Sequence, residues 1–198
     1  LTVHSERDGR VVLGVDDRPL LVLDHDPDAP DRPREAAGLF HTAFRFPDRA
    51  SLADALERVE AEWDLSGASD HRVSDALYLW DPEGNGVELY CDHPRSEWPT
   101  EDGRVQMDTL PLDLDALREE ATGAEGVPAE TDIGHVHLEV TDIGSAQGFY
   151  VDTLGLGMRQ EYNGALFVAA GEYHHHVGLN VWNEIGRASC RERVYTKV

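Results

Sequence analysis

The sequence predicts an α+β fold of tandem βαβββ modules, incomplete at both ends. Three observations carry this. Residues 132–155, DIGHVHLEVTDIGSAQGFYVDTLG, read as strand, turn and helix. His135, His137 and Glu139 alternate with Val136, Leu138 and Val140, and Asp142 stands where a carboxylate caps a helix N-terminus. Ala146, Phe149, Tyr150 and Leu154 follow at helical spacing, and Gly155 can end the helix in the left-handed region. Residues 38–63 repeat the pattern, with Asp48 as the cap and Leu52, Leu56, Val59 and Trp63 along one helix face. The repeat is also positional: His41 and His135 each precede their capping Asp by seven residues. Finally, each predicted helix is followed by short strand-like runs separated by turn residues.

Taken in order, residues 1–24 offer three strands, Leu1–His4, Arg10–Val15 and Pro19–Leu23, with Asp8-Gly9 and Asp16-Asp17 as turns. They read as the remnant of a first module whose opening strand and helix are missing. A polar connector, Asp24 to Glu35, leads to a complete second module over 38–91. There Gly67-Ala68-Ser69-Asp70 is expected to turn, and Val73–Trp80 and Val87–Cys91 to form a hairpin around DPEGNG (81–86). That loop lacks the alternating ligands of a calcium site and reads as a turn. Residues 92–131 form a linker with a short helix near Asp113–Ala121. The third module, 132–183, closes with strands at Met158–Tyr162, Ala165–Ala169 and His174–Trp182, the first two joined by Asn163-Gly164. Residues 184–198 resemble a translated sequencing adapter and are expected to be non-native, the last 15 residues carrying four basic and two acidic side chains against 13 and 37 before them.

Composition bounds the partners. The chain has 198 residues, 39 of them acidic against 17 basic, for a net charge of −22. Such a field repels nucleic acid and anionic lipid, and no apolar run approaches the ~20 residues that span a membrane. The only lysine is Lys197, so the body is acid-rich and lysine-poor. This is the signature of a salt-adapted, haloarchaeal protein, or of a GC-rich genome. The two cysteines, Cys91 and Cys190, give no disulfide framework, which fits a cytoplasmic location.

Two phrases identify a likeness: GASDHRVSDALYLWDPEGNGVELY (67–90) and YHHHVGLNVW (173–182). With the strand–turn–helix at 132–155 they resemble the vicinal oxygen chelate superfamily, in its catechol-2,3-dioxygenase-like branch. The superfamily also includes glyoxalases and bleomycin- or fosfomycin-resistance proteins, and the likeness covers nearly all of residues 1–183. It implies a glyoxalase/extradiol dioxygenase fold in which paired modules form a cup and their first and last strands supply metal ligands. His41 and Glu88 of the second module, and His135 of the third, are the implied ligands. Fe(II) is the implied metal, with Mn(II) or Zn(II) as alternatives. His174 or His175 is the implied acid–base group, although strand alternation would send His174 and His176 to one face and His175 to the other. His71, His137 and Tyr173 are expected to line the cup. The ligands fall into two half-sites: His41 and Glu88 await a first-module strand, and His135 awaits a histidine and a glutamate from a fourth module beyond Asn183.

The implied activity is extradiol ring cleavage of a small catechol-like aromatic by O2. A glyoxalase-type isomerase or thiol transferase is the enzyme alternative, and a metal-free aromatic-binding or resistance protein the non-enzyme one. A strand glutamate between Val87 and Leu89 is by default solvent-facing, and His4, His25 and His93 are expected to be solvated. With apolar faces uncovered, the fragment itself is expected to be inactive and prone to self-association.

Overall fold

A computed structural model describes residues 1–30, 33 and 36–183. In chain order the strands are β1 (Thr2–Arg7), β2 (Arg10–Val15), β3 (Arg18–Asp24), β4 (Gly38–Phe46), β5 (Gly67–Asp70), β6 (Ser74–Trp80), β7 (Gly86–Asp92), β8 (Thr100–Glu101), β9 (Arg104–Val105), β10 (Leu110–Pro111), β11 (Asp132–Glu139), β12 (Gly157–Tyr162), β13 (Ala165–Ala169) and β14 (Val177–Asn180). The helices are α1 (Arg49–Glu62), α2 (Leu114–Arg118) and α3 (Ile143–Gln147). The fold is therefore mixed α+β and mostly strand. The chain divides into two compact units: Leu1–Pro30, Ala43–Pro99 and Met107–Gly134 form one, and Asp31–Thr42, Thr100–Gln106 and His135–Val198 the other. Strands β4 and β11 contribute residues to both.

In the first unit the sheet runs β10-β5-β6-β7-β4, beside a separate meander β1-β2-β3. Asp48 caps α1 by accepting from the Ser51 backbone N–H at 2.8 Å and its hydroxyl at 2.6 Å. The apolar face of α1 buries Leu52 and Leu56 against Phe44, Phe46, Leu77 and Cys91, with Leu117 of α2 filling the remaining gap. Each such leucine contributes about 1.5–3 kcal/mol through removal from water. Trp63 lies beyond this face: it ends the helix, is half exposed, and donates from Nε1 to the Trp80 carbonyl at 2.8 Å. Arg45 on β4 makes a two-pronged bond to Asp132 of β11, at 3.0 and 2.7 Å, and reaches Asp92 of β7 at 3.3 Å. These contacts fix the three strands alongside one another.

Two expectations fail here. Residues 67–70 are strand β5, not a turn, because both edges are paired: Gly67–Asp70 with Tyr78–Asp75 of β6, and Ser69 and Asp70 with β10. The chain reverses instead at Arg72, which takes the left-handed region at φ 66°. The linker is also more structured than expected, since it supplies β8–β10 and buries Trp98, Val105 and Leu117. By contrast DPEGNG is a turn: Asp81 accepts from the N–H groups of Glu83 and Asn85 at 2.9 and 2.8 Å.

In the second unit the order is β11-β14-β13-β12, with β11 and β14 parallel and the other pairs antiparallel. Leu138 and Val140 pack on the apolar cluster of Ala146, Leu166, Val168 and Leu179, while His135, His137 and Glu139 are buried on the opposite face. Helix α3 gives way to a π-helical turn over Gly148–Thr153, marked by the Leu154 N–H donating to the Phe149 carbonyl at 2.9 Å. The wider turn breaks the 3.6-residue period, so Phe149 and Leu154 come out exposed while Tyr150 and Val151 pack inward. Strand β14 begins only at Val177; His174, His175 and His176 precede it in a turn. Strand alternation therefore does not govern them: His174 and His175 are both buried and His176 is exposed. The adapter-like segment 184–198, with Cys190 and Lys197, lies outside the described residues.

Candidate metal centre

His41 follows from β4 alternation, which turns Phe44 and Phe46 to α1 and sends His41 and Ala43 the other way. His135 is on the corresponding face of β11. Both imidazoles are buried, and their Nε2 atoms face each other at 3.3 Å. Two ring nitrogens at that separation can share one proton or ligate one cation.

Glu88 is buried, only 3% exposed, contrary to the solvent-facing default. On β7 it shares a face with Tyr90, opposite Val87 and Leu89 of the α1 core, and Ala43 and Ala76 around Tyr90 keep that face small-sided. Its cross-strand neighbour is Tyr78 on β6. Burial, the Glu88 charge and a hydrogen bond to Glu88 push the Tyr78 hydroxyl well above the usual phenol range, so it stays protonated. The same hydroxyl lies 2.6 Å from His71 Nε2, and His71 Nδ1 donates to the Asp108 carbonyl at 2.6 Å. A carbonyl only accepts, which fixes a proton on Nδ1.

His41 and His135 of the second unit offer two facing imidazole donors, and Glu88 of the first unit offers a buried carboxylate. Two imidazoles and a carboxylate, all buried, match the donor set of a divalent transition-metal site.

Around this cluster lie further rings. His175 packs on His135 at 4.1 Å between centroids, and its Nδ1 lies 2.7 Å from His174 Nδ1. Burial, with His135, His174, His137 and His41 nearby, pushes the His175 imidazole well below the usual histidine range. Tyr173 stacks on His174 at 4.0 Å and on His176 at 4.9 Å. His137 is walled by Phe40, Phe167 and Trp182, at 5.3, 5.8 and 5.3 Å. Gly178 makes room for it, since a Cβ there would come within 2.9 Å of the His137 ring. A second cluster, Asp70, Asp75 and His93, has a different character. Asp75 accepts from Arg49 at 2.7 Å and pairs with His93 at 3.0 Å, so these groups form an ion-pair network, and His93 is paired, not solvated.

No protein-family model matches the chain. A catechol-2,3-dioxygenase of Bacillus subtilis (strain 168) is 46% identical over 171 residues, 83% of this chain and 60% of that protein. The chain belongs to the vicinal oxygen chelate superfamily. A biphenyl-2,3-diol 1,2-dioxygenase of Rhodococcus globerulus is 38% identical over 65 residues, 32% of this chain and 34% of the other. A crystal structure from Bacillus subtilis, described as a dioxygenase, superposes with a TM-score of 0.56 at 16% identity, covering 90% of this chain and 53% of that one. That likeness speaks to the glyoxalase/extradiol dioxygenase fold alone. The chain spans about three-fifths of the length of the first of these relatives.

For this superfamily member, sequence reasoning named His41, His135, Glu88, His174, His175, His71, His137 and Tyr173, but not Tyr78, Phe40 or Phe167. Tyr78 carried a readable signal: it lies ten residues before Glu88 across a hairpin whose turn is plain in the sequence. Phe40 and Phe167 read as ordinary strand hydrophobics, and only the tertiary pairing brings them to His137.

Proposed function

We propose that this chain carries the metal centre of an extradiol ring-cleaving dioxygenase, with Fe(II) held by His41, His135 and Glu88 and a catechol-like aromatic and O2 as substrates. The supporting observation is the pair of buried imidazoles, His41 and His135, whose Nε2 atoms face each other at 3.3 Å; with the buried Glu88 they supply donors of the two-histidine, one-carboxylate kind. The catechol-2,3-dioxygenase relative at 46% identity supports the reaction class. When bound, the metal would supply Lewis acidity toward two vicinal oxygens.

The chain's own residues do the rest. The Tyr78 hydroxyl and the His71 behind it orient the Glu88 carboxylate. Phe40, Phe167 and Trp182 hold His137 and keep water from that side. His175 is neutral and has Nδ1 engaged, so Nε2 is the atom at which it takes or gives a proton during ring opening. This reading departs from the expectation that the fragment alone is inactive, and the test decides between the two. Purified chain is loaded anaerobically with Fe(II), mixed with catechol, and exposed to O2. The yellow ring-fission chromophore is expected, and it disappears in His135→Ala and Glu88→Ala. Iron bound without colour would refute ring cleavage; no iron bound would refute the metal centre itself.

A further inference from the structure

His174 and His175 are adjacent buried histidines whose Nδ1 atoms lie 2.7 Å apart. At that separation the two nitrogens share a hydrogen bond, and a bond between imidazole nitrogens requires a proton on one and a lone pair on the other. Two neutral rings joined through Nδ1 cannot therefore hold the same tautomer. If one carries its proton on Nδ1, the other must carry it on Nε2. The surroundings define which ring does what: His175 packs on His135 at 4.1 Å, while His174 lies farther from it, at 6.3 Å. His174 is in turn gripped by the Tyr173 ring at 4.0 Å, and Tyr173 also stacks on His176, whose Nδ1 accepts from the Ala170 N–H at 3.2 Å. The turn before β14 is thus a chain of ring contacts that begins at a backbone anchor and ends at the cluster.

We infer that His174 is a positioning residue that acts through His175, the two rings being coupled through Nδ1 in opposite tautomers, so that the protonation of the His175 Nε2 is set by the His174 tautomer. What His175 does with that nitrogen rests on the ring-cleavage reading; the tautomer pairing does not. It also separates the two histidines that the sequence left as equal candidates: one touches the cluster and the other orients it.

The test uses the whole metal-free chain with 15N-labelled histidine, above the pH at which the rings protonate. Long-range proton–nitrogen correlation distinguishes an N–H nitrogen from a lone-pair nitrogen in each ring. The expected result is one ring of each tautomer for His174 and His175; the same tautomer in both overturns the inference. In His174→Phe the His175 pattern is expected to become a mixture, and in His174→Asn, whose amide reaches the Nδ1 position, to return to a single form. An unchanged His175 in His174→Phe overturns the positioning role. Should His174→Phe fail to fold, the wild-type pair and His174→Asn still decide. In the iron-loaded protein, His174→Phe is expected to lower kcat by about 10- to 100-fold with little change in KM, with recovery in His174→Asn. Opposite tautomers in a chain that binds no metal would refute the proposed function and leave this inference standing.

Discussion

Glu88 owes its place to its neighbours. A strand glutamate flanked by Val87 and Leu89 is ordinarily wet, yet this one is buried beside a protonated Tyr78 hydroxyl. Tyr78→Phe removes that hydrogen bond while keeping the ring, and metal affinity is expected to fall about 10- to 100-fold in a competition titration against a chelating dye. An unchanged affinity would mean that the hydroxyl does not orient the carboxylate. The Asp75–His93 pair gives a prediction in pH. Its bond to Asp75 raises His93, so its stabilisation is present below the unfolded value of about 6.5 and is lost as pH rises through the higher folded value. Burial opposes ionisation of Asp75, but His93 and Arg49 outweigh it and hold Asp75 low, so its share is lost only as pH falls through that lowered value. Urea midpoints are expected to drop between about pH 6 and about pH 8, and His93→Gln is expected to flatten that drop. At this scale the sequence was informative wherever parity alone decides, as for His135, His137 and Glu139. It did not give the burial of Glu88, which depends on small residues, Ala43 and Ala76, on other strands.

Between elements, one buried side chain on α1 gathers three donors from the linker. Asp54 is buried on the helix and accepts from the Thr122 N–H at 2.7 Å, its hydroxyl at 2.8 Å and the Gly123 N–H at 2.8 Å. Asp54→Ala orphans these donors, and a loss of about 1–3 kcal/mol is expected in denaturant unfolding. A cost below about 0.5 kcal/mol would show that water replaces the carboxylate readily. Helix α1 was legible down to its cap because one period and one N-cap signal agree over 14 residues. The helix after Asp142 was legible only at its start. Its π-helical turn changes the pitch midway, and a fixed 3.6-residue template then assigns Phe149 and Leu154 to the wrong side. The same limit explains β5: four residues of Gly, Ala, Ser and Asp carry turn propensity, and only pairing on both edges makes them a strand.

For the whole molecule, a net charge of −22 over 198 residues means strong self-repulsion in the folded state. The Debye length falls from about 10 Å at 0.1 M salt to about 3 Å at 1 M, so the thermal midpoint is expected to rise over that range. A flat or falling midpoint would show that the acidic groups are already compensated locally. The repeat that places His41 and His135 in equivalent positions was visible in the chain, but the approach of their Nε2 atoms to 3.3 Å was not. Periodicity reports what faces inward within a strand; which strands become neighbours is decided by pairings over long sequence separations.

That separation has a consequence in time. His41 and His135 are 94 residues apart, yet their Nε2 atoms end 3.3 Å from each other. At a synthesis rate of roughly 5–20 residues per second, His41 leaves the ribosome about 5–20 s before His135 does. Through that interval the two rings cannot meet, so their pairing must await synthesis of β11.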